Sequence, residues 1–446
     1  MKPPLQPPPL QVLIQDLARD PGRLERVLTT CRQPLPAGRY LHWDRLRHRT
    51  PPAGLTPEEW WCGVKLARQP LLRELPLRDT AGRPFVFMVP ETVQEMLHQI
   101  DSRAAGRIAL PDQVATPEIR NRFVFSSLVE EAITSSQLEG ASTTRQVAAE
   151  MIRRQKRPRD RSEQMILNNY RAMEAVRKLA DRPLSEDALL ELHWTLTWQT
   201  LDDPDAAGRM QRHGERRVDV VDHSSGRVLH VPPPAKSLPG RLRKMLQFAN
   251  DRATGAAFIH PVIRAIILHF WLAYEHPFED GNGRTARALF YWAMLNQGYW
   301  LFEFVSISSV IRKAPARYTR AFLETETDDN DLTYFIVHQL DVIKRALNEL
   351  ERYLERKAAQ VREVEKLLRQ TRLNHRQLAL LSHAIRHPGF TYTIRSHRTS
   401  HCVAYATARA DLLELSDLGL LEQSRKGKKT WEFTAPADLA RRIRKL

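Results

Sequence analysis

Cysteine is scarce in this 446-residue chain: Cys31, Cys62 and Cys402 are all there is. They share no metal-type spacing and are too few for a disulfide framework, which suits a reducing compartment and small buried thiols. Long apolar runs are missing too. The longest, AIILHFWLAY, falls far short of a membrane span. The opening MKPPLQPPPLQVLIQDLARD is Pro-rich and soon charged, with no apolar core of a signal peptide. A cytoplasmic protein with no membrane partner is the expectation. There is no internal repeat and, beyond that Pro-rich start, no low-complexity segment. Acid is in deficit: 68 Lys and Arg face 52 Asp and Glu, a net charge of +16. From Thr371 to Leu446, fourteen Lys and Arg face six Asp and Glu. Half the excess therefore sits in the last sixth of the chain, an asymmetry that points to nucleic acid or another anionic partner, or to a basic surface alone.

What is present is a globular composition, 42% hydrophobic and 27% charged, long enough for two to four domains. Residues 1–115 read as a Pro- and Trp-rich, turn-punctuated helical extension, with Thr56-Pro57-Glu58-Glu59 as a helix cap, Pro at the first turn and acids behind it. Residues 116–350 are mostly helical by period. The exception is RRVDVVDHSSGRVLHVPPP, where Val218, Val220, Val228 and Val231 flank a Ser-Ser-Gly turn: a short hairpin ended by prolines. A long helix with an apolar stripe follows, its last part (351–372) a linker. It suits a connector or pairing in a homodimer. Residues 373–446 form a separate small unit.

The stretch EHPFEDGNGRTARALF, Glu275 to Phe290, is dense in groups that handle phosphate. Ile263, Ile266, Ile267, Phe270 and Tyr274 before it, and Ala288, Leu289, Trp292 and Ala293 after it, recur at helical spacing. The motif is therefore a tight loop whose second half opens a helix. That context rejects a dinucleotide fingerprint, which needs a preceding strand. A calcium loop fails because Arg284 and Tyr291 stand where acids are required. No Walker lysine is present. A phosphate cradle at a helix N-terminus survives: Gly281 and Gly283 free backbone N–H groups, and Arg284 and Arg287 can clamp oxygens. Asp280 is where Mg²⁺ beside a polyphosphate is expected, and His276 can accept a proton near neutral pH. Together these are parts of a nucleotidyl or phosphoryl transfer site. The plain alternative is a capped turn with a surface histidine.

His276-Pro-Phe-Glu-Asp280-Gly-Asn-Gly-Arg284-Thr-Ala-Arg287 matches, at every defined position, the Fic motif HxFx(D/E)GNGRxxR, and FIHPVIRAIILHFWLAYEHPF resembles the helix before it in that family. The resemblance covers about Arg120 to Leu350. It implies a mainly α fold, a Fic helical core with a short β-hairpin flap, and an enzyme that moves AMP from ATP to a Ser, Thr or Tyr hydroxyl of a target protein. By that resemblance His276 is the general base and Asp280 holds Mg²⁺. Gly281, Asn282 and Gly283 form the anion hole, Arg284 helps hold the phosphates, and Arg287 holds the γ-phosphate. Phe278 is a core anchor. The hairpin near 216–234 is the flap, which pairs with target backbone. Tyr318 lines the adenine pocket.

The run TSSQLEGAST places Ser135 and Glu139 four apart on a helix that stops at Gly140. On its own this is a polar helix end. It also resembles the Fic inhibitory motif [S/T]xxxE[G/N], which implies that Glu139 takes Arg287 away from ATP through a desolvated bidentate pair. Two other readings stay open: Glu139 orients a water that removes AMP, or the Fic fold is the nucleotide sensor of a DNA-binding regulator. His193, His260 and His269 read as packed structural histidines, and IRRQKRPRDR (Ile152 to Arg161) as a solvated basic loop. At the C-terminus three helices and two short strands around a basic turn resemble a winged helix-turn-helix. Its Arg409, Arg425, Lys426, Lys428 and Lys429 could meet DNA phosphates, or the unit could serve protein contacts alone.

Overall fold

The computed structural model describes all residues except 1, 105–116, 223–224, 369–370, 388, 427–429 and 445–446. The chain divides into two compact units, Met1–Arg107 with Ser126–Leu347, and Ile108–Phe125 with Asn348–Leu446.

The first unit begins with α1 (Leu10–Leu17) and α2 (Pro21–Thr30), the second capped by Asp20, whose carboxylate accepts from the Gly22 and Arg23 amides. A single turn, α3 (Trp43–Leu46), precedes α4 (Pro57–Arg68). Thr56 and Glu59 cap α4 reciprocally, as the Thr-Pro-Glu-Glu spacing dictates. Next comes an element that the sequence reading passed over, the antiparallel hairpin of β1 (Arg73–Arg78) and β2 (Pro84–Phe87), and then α5 (Glu91–Ala104). A buried polar network ties this N-terminal region to residues some 250 positions later. Lys65 Nζ donates to Asp328 at 2.8 Å, and Arg68 donates to the Tyr334 hydroxyl at 3.0 Å. The Tyr334 hydroxyl in turn donates to Asp328 at 2.7 Å. The extension is thus part of the first compact unit.

The helical body follows: α6 (Pro117–Leu138), α7 (Arg145–Arg153), α8 (Arg161–Leu179) and α9 (Glu186–Thr197). The small hairpin β3 (Val220–Asp222) and β4 (Arg227–His230) interrupts the helices. It is the expected hairpin, though Val218 and Val231 lie outside its strands. Then come α10 (Leu238–Asn250), α11 (Pro261–Glu275), α12 (Asn282–Asn296), α13 (Ile307–Lys313), α14 (Pro315–Thr327) and α15 (Thr333–Leu368), whose stretch beyond Leu347 belongs to the second unit. Helices α11 and α12 form the centre. On α11 Ile263, Ile266, Ile267, Leu268, Phe270 and Trp271 are all buried, so the helix is apolar around most of its circumference instead of along one stripe, and Phe290, Tyr291 and Trp292 are buried on α12. The polar loop is thereby held between two deeply buried helices.

In the second unit α16 (His375–Arg386), β5 (Thr391–Thr393), α17 (Ile394–His401), α18 (Tyr405–Asp417), β6 (Glu422–Lys426), β7 (Thr430–Thr434) and α19 (Leu439–Ile443) follow in order. The strands form one antiparallel sheet in the order β5-β7-β6, over a core that includes Leu381, Leu412, Leu415 and Phe433. Strand β5 opens a segment whose composition reads as helix throughout. Tyr392 is drawn into the sheet by pairing with Phe433.

Candidate active site

Helix α11 ends at His276, which sits in the left-handed region at φ 48° and turns the chain sharply out of the helix. Its ring lies half-buried, with Nδ1 3.3 Å from the Ala273 carbonyl. A carbonyl only accepts, so Nδ1 carries the proton and Nε2 keeps its lone pair. Burial lowers the pKa of His276 to about 4, with the nearby positive charges of His230 and Arg217 acting in the same direction. The imidazole is therefore neutral at physiological pH, the form a general base needs.

The following loop is stitched to itself. Asn282 Oδ1 accepts from the Phe278 amide at 2.9 Å while its Nδ2 donates to the Phe278 carbonyl at 2.8 Å. The Asn282 side chain is consequently a strut of the loop, and only its amide can serve an anion. Phe278 is fully buried and stacks on His193 at 3.7 Å, nearly parallel. Gly281 adopts φ 81°, and a Cβ there would lie 2.6 Å from Thr197 Cγ2. Glycine is thus required twice, by backbone conformation and by the close approach of α9. The first N–H groups of α12 have no acceptor within the helix, and the helix dipole adds positive potential at the same end.

Asp280 is the half-exposed carboxylate of the loop, its side chain 45% accessible. Its Oδ1 accepts from the Gly281 amide at 2.5 Å and its Oδ2 from Arg284 at 3.2 Å. Arg284 is buried and also donates to the Leu196 carbonyl at 3.1 Å, which fixes its direction. Among the described residues no cluster of three or more His, Cys, Asp or Glu could cage a metal ion. An accessible carboxylate beside a helix N-terminus fits Mg²⁺ that arrives already coordinated by phosphates, because that ion commonly takes one or two protein carboxylates and keeps its remaining ligands from substrate and water.

Arg287, one turn into α12, meets the end of α6. Its Nε donates to Ser135 Oγ at 2.9 Å, and its Nη2 donates to the Ser135 carbonyl at 3.0 Å and to Glu139 Oε1 at 2.8 Å. Burial opposes the charge on Arg287, but Glu139, together with Tyr318 and Glu131, more than offsets it and holds the pKa above its ordinary value. The sequence reading expected a bidentate pair. The structure shows a single contact, because Ser135 already takes the Nε edge of the guanidinium. Glu139 also lies directly against Gly283: a Cβ on Gly283 would stand 2.3 Å from Glu139 Oε1. A carboxylate therefore occupies the mouth of the glycine cradle. Gly140 explains its placement. At φ 94° it closes a Schellman motif, with the Ala141 amide on Ser136 O and the Gly140 amide on Gln137 O, which makes Glu139 the C-cap.

Tyr318 on α14 is half-buried. Its hydroxyl pairs with His269 Nε2 at 2.8 Å and its ring packs on Phe322 and Phe335. Burial pushes its pKa up to about 12.

Several residues that shape the site carry no sequence signal. His193 is buried as expected, but it also holds the loop. The Gly208 amide donates to its Nδ1 at 3.0 Å, so Nε2 bears the proton and donates to the Asp280 carbonyl at 2.9 Å. Burial lowers its pKa to about 4. Arg217, beside the flap, donates to the carbonyls of Glu275 and His276 at 2.7 and 2.9 Å, pinning the turn that bears the base. His230 on β4 contacts Glu326 through Nδ1 at 2.7 Å and the Tyr274 carbonyl through Nε2 at 2.8 Å, anchoring the flap to the end of α11. Burial works against a charge on His230, yet Glu326, helped by the Tyr274 carbonyl and Glu275, outweighs it and raises the pKa. A groove of about 740 Å³ runs along the flap, lined by Arg209, Arg216, Val221, Val228 and Glu279 among others. Arg161, read from the sequence as the end of a basic loop, is the first residue of α8; it donates to Asp202 at 2.9 Å and lies 3.9 Å from Asp280.

Residues 183–294 match the model of the Fic/DOC family. Protein adenylyltransferase fic-1 of Caenorhabditis elegans is 35% identical over 116 residues, 26% of this chain and 20% of that protein. Protein adenylyltransferase Fic of Nematostella vectensis is 39% identical over 72 residues, 16% of each. The match thus spans a fifth or less of these relatives' length. Among solved structures, a Fic family protein from Desulfovibrio desulfuricans is 20% identical, covers 78% of this chain and 95% of that chain, and has a TM-score of 0.48. Fic-1 of C. elegans is 21% identical, with coverage of 59% and 71% and a TM-score of 0.46. This chain therefore carries a Fic domain, which spans residues 183–294.

Proposed function

We propose that the chain is a protein adenylyltransferase held in check by its own Glu139. The observation that carries this reading is the seat of the Glu139 carboxylate, against Gly283 and on Arg287, at the helix N-terminus beside a neutral histidine. An acidic group sits where the phosphates of ATP would sit, and both ligands need the same arginine. In the reaction His276 Nε2 takes the proton of the attacking Ser, Thr or Tyr hydroxyl. The hydroxyl oxygen bonds to the α-phosphorus, the bond to the β-phosphate oxygen breaks, and pyrophosphate leaves. The first amides of α12 face the phosphates, Arg284 and Arg287 neutralise them, and Tyr318 borders the adenine. Mg²⁺ held at Asp280 would supply further charge neutralisation on the phosphate oxygens. The flap valines border the groove in which the target segment lies.

The test is transfer of label from α-labelled ATP with Mg²⁺ to protein, for wild type, Glu139→Gly and His276→Ala. Strong labelling by Glu139→Gly that His276→Ala abolishes supports the reading. Absence of label from every variant overturns it. The reverse activity is a second reading, in which Glu139 orients a water that removes AMP. It predicts that wild type, not Glu139→Gly, releases AMP from premodified protein.

For the second unit we read a winged helix that binds duplex DNA. Arg395 and Arg398 on α17 and Tyr405 and Arg409 on α18 are exposed around a three-residue turn, and Arg425 on β6 stacks on Trp431 at 4.4 Å. Asp411, in the middle of α18, is buried and paired with Arg376 at 2.7 Å and His397 at 3.1 Å, so it does not oppose a phosphate. Lys428 and Lys429 lie outside the described residues. Four arginine–phosphate contacts imply a log–log salt slope of roughly −3 to −4. Fluorescence anisotropy with random-sequence duplex between 50 and 200 mM salt measures it, and a flat response refutes DNA binding.

A further inference from the structure

The helix that carries the blocking carboxylate also makes contacts that blocking does not require. A guanidinium has five N–H donors. Ser135 takes two of those of Arg287, through its hydroxyl and its carbonyl, and Glu139 takes one. The carbonyl contact has a structural cause. The last four carbonyls of a helix lack an N–H from the next turn. At the end of α6 those of Ser136 and Gln137 are satisfied by the Schellman turn. That of Ser135 is satisfied by Arg287, a cation placed where the aligned carbonyls favour one. Arg287 is therefore anchored by Ser135 whether or not residue 139 is acidic.

Helix α6 is itself fixed one turn earlier. Glu131 is buried, and its Oε2 accepts from the Tyr291 hydroxyl at 2.8 Å, the Ser306 hydroxyl at 2.7 Å and the Ser308 amide at 3.1 Å. Its Oε1 accepts from the Ser308 hydroxyl. Tyr291 lies one turn beyond Arg287, so residues 131, 135 and 139 form one row of α6 that reads α12 at two places. Withdrawing α6 would strand a buried carboxylate and its donors, a far larger penalty than turning one half-exposed side chain. Glu139 is that side chain, 27% accessible and at the helix cap.

We infer that α6 stays docked when the site takes up nucleotide, and that Ser135 is a positioning residue for Arg287 in the working enzyme instead of an accessory of the brake. The inference rests on the nucleotidyl transfer reading above. With Ser135 on Nε and on one N–H of Nη2, the remaining donors turn toward Gly283, whose built Cβ would meet Nη1 at 3.1 Å. Ser135 and Glu139, four residues apart in one motif, then act with opposite signs: one aims the arginine and the other covers it.

The experiment measures affinity for a non-hydrolysable ATP analogue and for AMP by calorimetry, in wild type, Glu139→Gly, Glu139→Gly/Ser135→Ala and Glu139→Gly/Ser135→Thr. Glu139→Gly should bind the ATP analogue more tightly than wild type. Adding Ser135→Ala should weaken that binding roughly tenfold, the scale of one hydrogen bond to a charged group, while Ser135→Thr retains it. AMP, which lacks the phosphates that Arg287 would hold, should bind both double variants equally. Backbone amide exchange over residues 127–138 should stay slow with the analogue bound. A Ser135→Ala double variant that binds the analogue as well as or better than Glu139→Gly overturns the inference alone, as does fast exchange of α6. Equal losses for AMP and the analogue overturn it too, since they mark general disruption. If Glu139→Gly binds no better than wild type, the brake reading fails and this inference falls with it.

Discussion

Gly281→Ala is the sharpest probe of the motif loop, because its penalty has two separable parts. At φ 81° an alanine bears backbone strain of about 1–2 kcal/mol. Its Cβ would also stand 2.6 Å from Thr197 Cγ2, a contact that must be relieved by moving α9 or the loop, which adds about 1–3 kcal/mol. Thr197 is fully buried and its hydroxyl donates to the His193 carbonyl at 2.7 Å, so it cannot simply rotate away. Thr197→Ser deletes only the clashing methyl and keeps that hydrogen bond. Alone it should cost about 1 kcal/mol for the lost buried methyl. Combined with Gly281→Ala it should recover the steric part, so the double variant loses less than the two single losses added by about 1–3 kcal/mol. Every tryptophan but Trp431 lies in the first unit, so unfolding followed by tryptophan fluorescence reports on that unit. The double variant should also regain ATP binding relative to Gly281→Ala, since the Asp280 carbonyl returns to His193. Strict additivity of the two substitutions, or a harmless Gly281→Ala, would refute the account of why glycine stands there.

Two further outcomes follow from buried charge. Folded His193 titrates near 4 against an ordinary value of 6.5, so below 6.5 the unfolded chain binds a proton that the folded chain refuses. Stability is then lost as pH falls from about 6.5 to about 4, by up to about 3 kcal/mol from this residue, and His193→Phe should flatten that part of a pH-dependent denaturation curve. Lys65→Met leaves Asp328 buried without its cation, with only the Tyr334 hydroxyl still donating to it, which should cost about 3–5 kcal/mol, with part of the loss regained in Lys65→Met/Asp328→Asn when unfolding midpoints are compared.

The site was legible where its chemistry is contiguous. His276 through Arg287 lie within one turn and one helix start, and the glycines declare a backbone that other residues cannot follow. Its partners were not. Ser135 and Glu139 meet Arg287 across some 150 residues, and nothing in a polar helix end says which arginine it faces. Only resemblance to a family pattern supplied that pairing, and even then the expected bidentate geometry gave way because Ser135 reached the guanidinium first. His193 shows the same limit from the other side. A histidine on an apolar helix face reads as core, and it is core, but the proton on its Nε2 also fixes the carbonyl of the candidate metal-binding residue. The β1–β2 hairpin was missed for a third reason. RELPLRDTAGRPFVF does alternate, with Leu75, Leu77, Phe85 and Phe87 buried, yet two prolines interrupt it. What completes the structure is distant: the Val86 amide donates to Asn330 at 3.1 Å and the Leu332 amide donates back to Val86 at 2.8 Å. Local pattern announces which backbone is unusual and which groups are reactive. Which of two competing groups claims an arginine is settled by packing between helices far apart in the chain, and in this protein that competition is where activity would be governed.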